Sequence, residues 1–306
     1  MEYNGLIQRY PVDRPLTGEE RSLQLHQPAA TGIDPLDRLS VIRMNSTFLE
    51  TVDKYYAWRG ALVTVTVPTA MAVAGFFVAL FLFGRAGDDT PPVWFLVTIA
   101  LIPLPLLALL VWLFFKDAFL RTHFPTRFNR RTRMVHAMRL DGSVLSVAWD
   151  AVFFCLARCT TPSQWDVRGH VLDADGITVR ETFSLGDWDF GASAHRTLRG
   201  HWEFVRRYME GETGSVDGCV RFCLPIAERR EPVRFGFHRM FAEAAGHSLP
   251  MRWLGAALAA LILPGRWLAM RTSSIPTWPD EIERVCRVDG DDPFVKDSRV
   301  NPPDLR

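Results

Sequence analysis

Two stretches decide how this chain folds: GALVTVTVPTAMAVAGFFVALFLFG at residues 60–84 and PPVWFLVTIALIPLPLLALLVWLFF at residues 91–115. Each is 25 residues long and neither holds a charge. At a rise of about 1.5 Å per helical residue, either spans ~37 Å, enough to cross a hydrocarbon core of roughly 30 Å with some tilt. No common soluble-domain element accounts for two such runs only six residues apart. They read as a transmembrane hairpin in an integral membrane protein.

The flanks give the hairpin a direction. Arg43, Lys54 and Arg59 precede it, and Lys116, Arg121, Arg127, Arg130, Arg131 and Arg133 follow it. In the connection, Arg85 is offset by Asp88 and Asp89. The positive-inside rule then puts both termini in the cytoplasm and the connection outside. The first run begins too late and is too long for a signal peptide. The expected location is a bacterial inner membrane, crossed more than once. Trp58, Trp94 and Trp112 suit interfacial belts. Thr66, Ala70 and Ala74 form a small-residue stripe that admits close helix approach. Pro103 and Pro105 predict a kink in the second helix. A kink there serves a gate, or it belongs to a bent anchor; with no ionisable residue in either helix the anchor is favoured.

Charged residues make up 23% of the 306-residue chain, and residues 60–115 carry only the three in the connection. The rest is a water-facing protein fixed to an anchor. A net charge of +1 argues against a nucleic-acid partner. Five cysteines, an odd number, complete no disulfide framework and read as reduced thiols.

Beyond the membrane the pattern shortens. Strands are expected at 132–140, 143–148, 151–157, 165–172 and 177–183, with Asp141-Gly142 and Asp175-Gly176 as hairpin turns. Residues 194–210 read as an amphipathic helix ended by Gly211. The expected fold is an α+β membrane protein. A two-helix transmembrane hairpin leads to a small antiparallel β sandwich or barrel with a closing helix, then to a mostly helical C-terminal region. The boundaries are 1–59 for a polar cytoplasmic segment, 60–115 for the hairpin, 116–212 for the β domain and 213–306 for the remainder. In that remainder, 232–245 is a helix candidate, and Pro279 with Asp280 and Glu281 starts another. A third apolar run, 253–264 within 251–270, is too short to span and is bracketed by Arg252 and Arg266. A core helix, an interfacial helix and a re-entrant segment all fit it, and an interfacial or hairpin-docked helix is favoured.

The β region, through "SVAWDAVFF" and the turn after Leu140, resembles the bacterial pleckstrin-homology-like domains that follow a transmembrane hairpin. The whole layout resembles an uncharacterised proteobacterial inner-membrane family often encoded near type VI secretion genes and their effectors. "FNRRTRMVHAMRLDG", "VAWDAVFF", "GHVLDADGITVRETFSLG" and "IPTWPDEIERVCRVDGDDPF" carry that resemblance. It implies a genomic context and no mechanism.

Candidate sites were weighed on chemistry. Cys155, Cys159, Cys219 and Cys223 make two C-x3-C pairs, but zinc sites favour tighter spacing, so buried thiols are expected. Asp173-x-Asp175-Gly176 lacks the remaining ligands of a calcium loop and reads as a hairpin. Asp289, Asp291 and Asp292 read as a solvated turn. "GASAH" at 191–195 lacks the second glycine of a nucleophile elbow. His195 and His201 are too far apart for an i,i+4 metal pair. No catalytic residue, metal or cofactor is assigned. The binding candidates are Arg127, Arg130, Arg131 and Arg133, where juxtamembrane cations attract anionic lipid headgroups by about 1 kcal/mol each. The alternative is a topology signal with ordinary strand-surface charge.

Three functions follow. The first is a membrane-anchored binding protein with a protein partner, an immunity or accessory factor for a secreted effector. The second is a membrane-acting effector or small transport component using the kinked helix. The third, a membrane-surface enzyme, has only unplaced Asp, His and Cys residues behind it and is disfavoured.

Overall fold

The computed structural model describes residues 10–84, 91–159, 163–242 and 248–306. It divides into two compact units. The first unit, the β unit, takes residues up to Ala57, Arg121–Glu231 and Ile275–Arg306. The second, the helical unit, takes Trp58–Leu120 and Pro232–Ser274.

The β unit holds two five-stranded antiparallel sheets. One contains β1 (Arg14–Pro15), β2 (Gln24–Leu25), β8 (Val152–Arg158), β9 (Gln164–Leu172) and β10 (Thr178–Phe190), in the order β1-β10-β9-β8-β2. The other contains β3 (Val41–Met44), β4 (Phe48–Thr51), β5 (Thr126–Asn129), β6 (Met134–Met138) and β7 (Val144–Ala148), in sequence order. Both Asp-Gly pairs sit at hairpin turns. Gly142 at φ +92° joins β6 to β7 and Gly176 at φ +66° joins β9 to β10, a backbone region open chiefly to glycine. Asp175 reinforces its turn by accepting hydrogen bonds from the amides of Ile177 and Thr178, both at 2.8 Å. The expected helix appears as α5 (Ala194–Glu210), with Gly211 beyond its last turn.

One core joins both sheets and α5. Trp202 of α5 stacks on Trp149 at 5.5 Å between ring centroids and meets Phe154 at 4.7 Å. Phe128 closes on Trp149 at 6.1 Å. All four are fully buried. Full burial of a large apolar side chain stabilises a fold by about 1.5–3 kcal/mol, so this cluster fixes α5 against both sheets.

The segment expected to stand apart at 1–59 is built into these sheets. It supplies β1 to β4 and the short helix α1 (Gly18–Ser22), whose Thr17 and Glu20 form a capping box. Residues 275–306, expected within a helical remainder, also return to the β unit. Met44 and Lys296 exchange backbone hydrogen bonds at 2.9 and 2.7 Å, and Asn301 bonds both the amide and the carbonyl of Cys223. Two further helices belong here, α6 (Gly214–Asp217) and α9 (Asp280–Val285). Strands of two to four residues carry too little periodicity to be read alone, so only their partners reveal them.

The helical unit contains α2 (Ala61–Gly84), α3 (Val93–Leu101), α4 (Leu104–Phe114), α7 (Val233–Ala242) and α8 (Leu249–Thr272). The second apolar run breaks between α3 and α4, where Pro103 stands and Pro105 follows. Asp117 caps α2 from a distance, its Oδ2 accepting from the amides of Gly60 at 2.8 Å and Leu62 at 3.2 Å. Three stretches are long and apolar enough to cross a membrane: Tyr56–Phe83, Val93–Phe114 and Leu249–Thr272. The third corrects the expectation of a short segment. The helix runs through Arg252, Pro264 and Arg266, because Arg266 is buried at 1% exposure and its Nη1 reaches the carbonyl of Arg59 at 3.4 Å. The charges of the connection, Arg85, Asp88 and Asp89, lie outside the described residues, as do 243–245 of the expected 232–245 helix.

Candidate functional site

A cleft of about 490 Å³ opens in the β unit. One wall is the end of the β6–β7 hairpin, with Met138, Arg139 and Leu145; the other is β10, with Glu181 and Phe183. Tyr10, Tyr55 and Phe124 complete it. Asp53 sets this corner. Its Oδ1 accepts from the amide of Tyr55 at 2.9 Å and its Oδ2 from the amide of Phe124 at 2.8 Å. The chain therefore leaves the β unit beyond β4 and returns ahead of β5 at one place. Charged groups stand in pairs along the walls: Arg139 with Glu181 at 2.9 Å, and Arg180 with Asp13 at 2.7 Å and Asp173 at 2.6 Å.

Behind the two tyrosines lies a buried charge cluster. Asp166 receives Lys54 Nζ on one oxygen and Arg168 Nε on the other, the latter at 2.8 Å. Tyr10 donates to the same carboxylate at 3.5 Å. The Lys54 ammonium lies 5.3 Å from the Tyr10 ring centre and 5.0 Å from that of Tyr55, and the Arg168 guanidinium lies 4.8 Å from Tyr10. Lys54, Asp166 and Arg168 are all at most 5% exposed in their side chains. Two cations thus share one carboxylate beneath an aromatic layer.

The electrostatics follow from that count. Burial opposes ionisation of Asp166, but Lys54 and Arg168 overcome it and hold the carboxyl below its ordinary range. Burial likewise opposes charge on Lys54, and Asp166 reverses this, raising the ammonium well above its usual value. Burial raises Tyr10 and Tyr55, so both hydroxyls remain protonated donors. Cys159 is pushed up to about 11 by burial and by Asp166. Protonated lysine, thiol and phenols bind and donate; none is an activated nucleophile near neutral pH.

The four arginines expected to meet headgroups have other partners. Arg127, on β5, has no exposed side-chain surface. Its guanidinium sits between the rings of Phe48 at 4.5 Å and Trp278 at 4.6 Å, and it bonds Glu50 at 3.2 Å and Glu283 at 3.1 Å. Buried there, it has no face to offer a lipid. Arg130 bonds Thr213 and the Gly211 carbonyl, Arg131 pairs with Asp289, and Arg133 with Asp150 and Glu210. Among the described residues, no group of three or more His, Cys, Asp or Glu side chains is placed to hold a metal ion. Cys155 and Cys223 are buried, and Cys159 and Cys219 partly so. Asp292 of the acidic turn is engaged by the amide and hydroxyl of Ser46 at 2.7 and 2.8 Å.

Sequence reasoning missed Lys54, Asp166 and Arg168. A signal exists in β9, where Asp166, Arg168 and His170 alternate along one face in "QWDVRGH". That alternation marks a polar face without saying whether it is wet or buried. Tyr10 and Tyr55 lie far apart in sequence and share no local pattern.

Residues 99–290 match the model of a family described as "Family of unknown function (DUF6708)". No curated protein matches the chain, and no solved structure matches it.

Proposed function

The chain belongs to the DUF6708 family, and from its geometry we propose that it is a membrane-anchored binding protein that holds a segment of a protein partner in the β-unit cleft. The observation that carries this reading is the cleft itself. Its volume of about 490 Å³ falls in the range of ligand sites, and its walls combine apolar and aromatic side chains with paired charges. Beneath it, Lys54 and Arg168 share the Asp166 carboxylate under the Tyr10 and Tyr55 rings. A partner segment that offers apolar side chains to the aromatic floor and hydrogen bonds to the paired charges of the walls suits that cleft.

The family resemblance supplies the first partner class to try, a secreted effector encoded nearby, for which this chain acts as an immunity or accessory factor. A pleckstrin-homology-like reading of the β unit is supported by its antiparallel strands, split over two sheets and closed by one amphipathic helix. The flanking charges support a cytoplasmic β unit at a bacterial inner membrane.

The test uses the full chain in detergent and a candidate effector. Phe183→Asp and Tyr55→Ala are expected to weaken co-purification at least tenfold while Arg299→Ala, on an exposed turn, does not. Equal capture by all three overturns the cleft as the binding site, and no capture or rescue by the parent chain overturns the effector partner.

The break between α3 and α4 favours a second reading, a membrane-acting component. Depolarisation on overproduction of this chain alone supports it, and an unchanged membrane potential removes it.

A further inference from the structure

Three stretches have the length and hydropathy to span a bilayer, yet the connections of the chain allow an even number of crossings. The β unit is one compact body assembled from segments before residue 58, between 121 and 231, and after 274. Trp278 Nε1 donates to Glu50 Oε1 at 2.9 Å, Lys296 pairs with Met44, and Asn301 bonds Cys223. All three segments therefore lie on one side of any membrane. Between residues 58 and 120 the chain must cross an even number of times, and α2 with α3–α4 makes two. Between 232 and 274 the number must also be even.

If α8 crossed, residues 232–248 would have to cross back. In lipid those 17 residues would have to be helical, and a helix of that length reaches only ~25 Å against a core of roughly 30 Å. They also carry Arg234, His238, Arg239, Glu243 and His247. The length is marginal, and the charge makes a crossing there prohibitive.

We infer that α8 does not cross the bilayer but lies along its interface, on the side that holds the β unit, with its exposed apolar face in the lipid. The exposed face is continuous. Trp253 and Trp267 are 71 and 48% exposed, and helical spacing sets them on one side with the exposed Ala257, Ala260 and Pro264. The opposite side is taken by α2. A Cβ on Gly265 would stand 2.1 Å from Thr64 Oγ1, and one on Gly60 2.1 Å from the Arg266 Cα, so the backbones touch at the first turn of α2. That turn is where the chain has just left the β unit. At the other end, the amide of Ser274 bonds the carbonyl of Leu120, the residue at which the second span hands the chain back.

Two charges set the depth. Arg252 and Arg271 are both exposed, in the first and last turns of α8. A helix dipping its N-terminal end to the midplane would carry Arg252 there, where a guanidinium is strongly disfavoured. An in-plane helix keeps both guanidiniums among headgroups while the tryptophans anchor the apolar side.

Single added cysteines at Val93, Leu249 and Arg299, labelled with a membrane-impermeant maleimide in sealed vesicles of each orientation, test this. The parent chain gives the background of its native thiols. Leu249→Cys and Arg299→Cys are expected to label from one face and Val93→Cys from the other, with Ser248→Cys repeating the Leu249 result should that variant be lost. Labelling of Leu249→Cys from the Val93 face means that α8 crosses and overturns the inference. Protection of Leu249→Cys from both faces until detergent is added means a dip into the core, and also overturns it. Labelling of Val93→Cys from the Arg299 face removes the two-span frame and the inference with it.

Discussion

Arg127 and His136 stand directly opposite each other in the β5–β6 ladder, at the centre of a polar row that crosses the sheet. Glu50 faces Arg127 on the other side, Arg43 faces Glu50, and Ser146 faces His136. Its middle, Glu50, Arg127 and His136, is buried, with the indole nitrogen of Trp278 donating to Glu50 while its ring covers Arg127. Charged residues in a strand ordinarily mark its wet face; here α9 and the chain beside it have covered them.

That row makes stability depend on pH. Burial, with the Arg127 charge beside it, lowers the pKa of His136 from 6.5 to about 4. Between those values the unfolded chain binds the proton that the folded chain refuses. Stability is therefore complete above about pH 6.5 and falls by up to about 3 kcal/mol as the pH drops toward 4. Glu50, held below its ordinary range against burial by Arg127 and Arg43, adds to the loss at the acid end. Urea midpoints at about pH 5 and about pH 7 check this. His136→Gln should shrink the difference, leaving the share of His170 and His201, which burial also lowers.

Arg127→Met should destabilise the β unit by about 3–5 kcal/mol, because it leaves Glu50 buried with its charge and one cation fewer. Glu283→Gln touches the same guanidinium from a side chain that is 50% exposed, and should change stability by less than about 1 kcal/mol. Chemical unfolding of the two variants side by side gives the ratio.

Under the cleft the order of effects is set by charge counting. Asp166→Asn removes the carboxylate that Lys54 and Arg168 share in a buried site, and should cost about 3–5 kcal/mol. Lys54→Met leaves the Asp166–Arg168 pair neutral and should cost clearly less. A melting temperature for Lys54→Met at or below that of Asp166→Asn would contradict the account.

At the meeting of α2 and α8, Gly265→Ala drives a methyl into Thr64 and the Gly60 carbonyl and should destabilise the helical unit by about 1–3 kcal/mol. Gly75→Ala meets nothing within 4 Å and should leave the melting temperature in detergent unchanged or raised. Thermal unfolding of both in one detergent separates a packing effect from a general response to added bulk.

Much of the architecture was legible in local pattern. The 60–84 and 91–115 runs, the Asp-Gly hairpins and the 194–210 helix each announce themselves within a window of neighbours, since periodicity and turn chemistry are local properties. The membership of β1 to β4 was not legible, because Arg14–Pro15 or Gln24–Leu25 is a strand only by virtue of β10 or β8 beside it. Arg127 reads as a juxtamembrane cation until Glu50, Phe48 and Trp278, drawn from three segments, are found around it. Of the cleft, nothing was visible beyond the alternation in β9.

Local pattern was enough to locate two helices long and apolar enough to cross a membrane and the strands closed by α5 that follow them, because hydropathy, spacing and turn residues act over a few residues. Long-range packing alone showed that the β unit is assembled from three segments, so that the two apolar helices are an insertion between the neighbouring strands β4 and β5. It alone brought Lys54 to Asp166, and Trp278 to Arg127. The physical reason is that burial of a charge, and the pairing that makes burial tolerable, depend on residues more than a hundred positions apart that share no local signal.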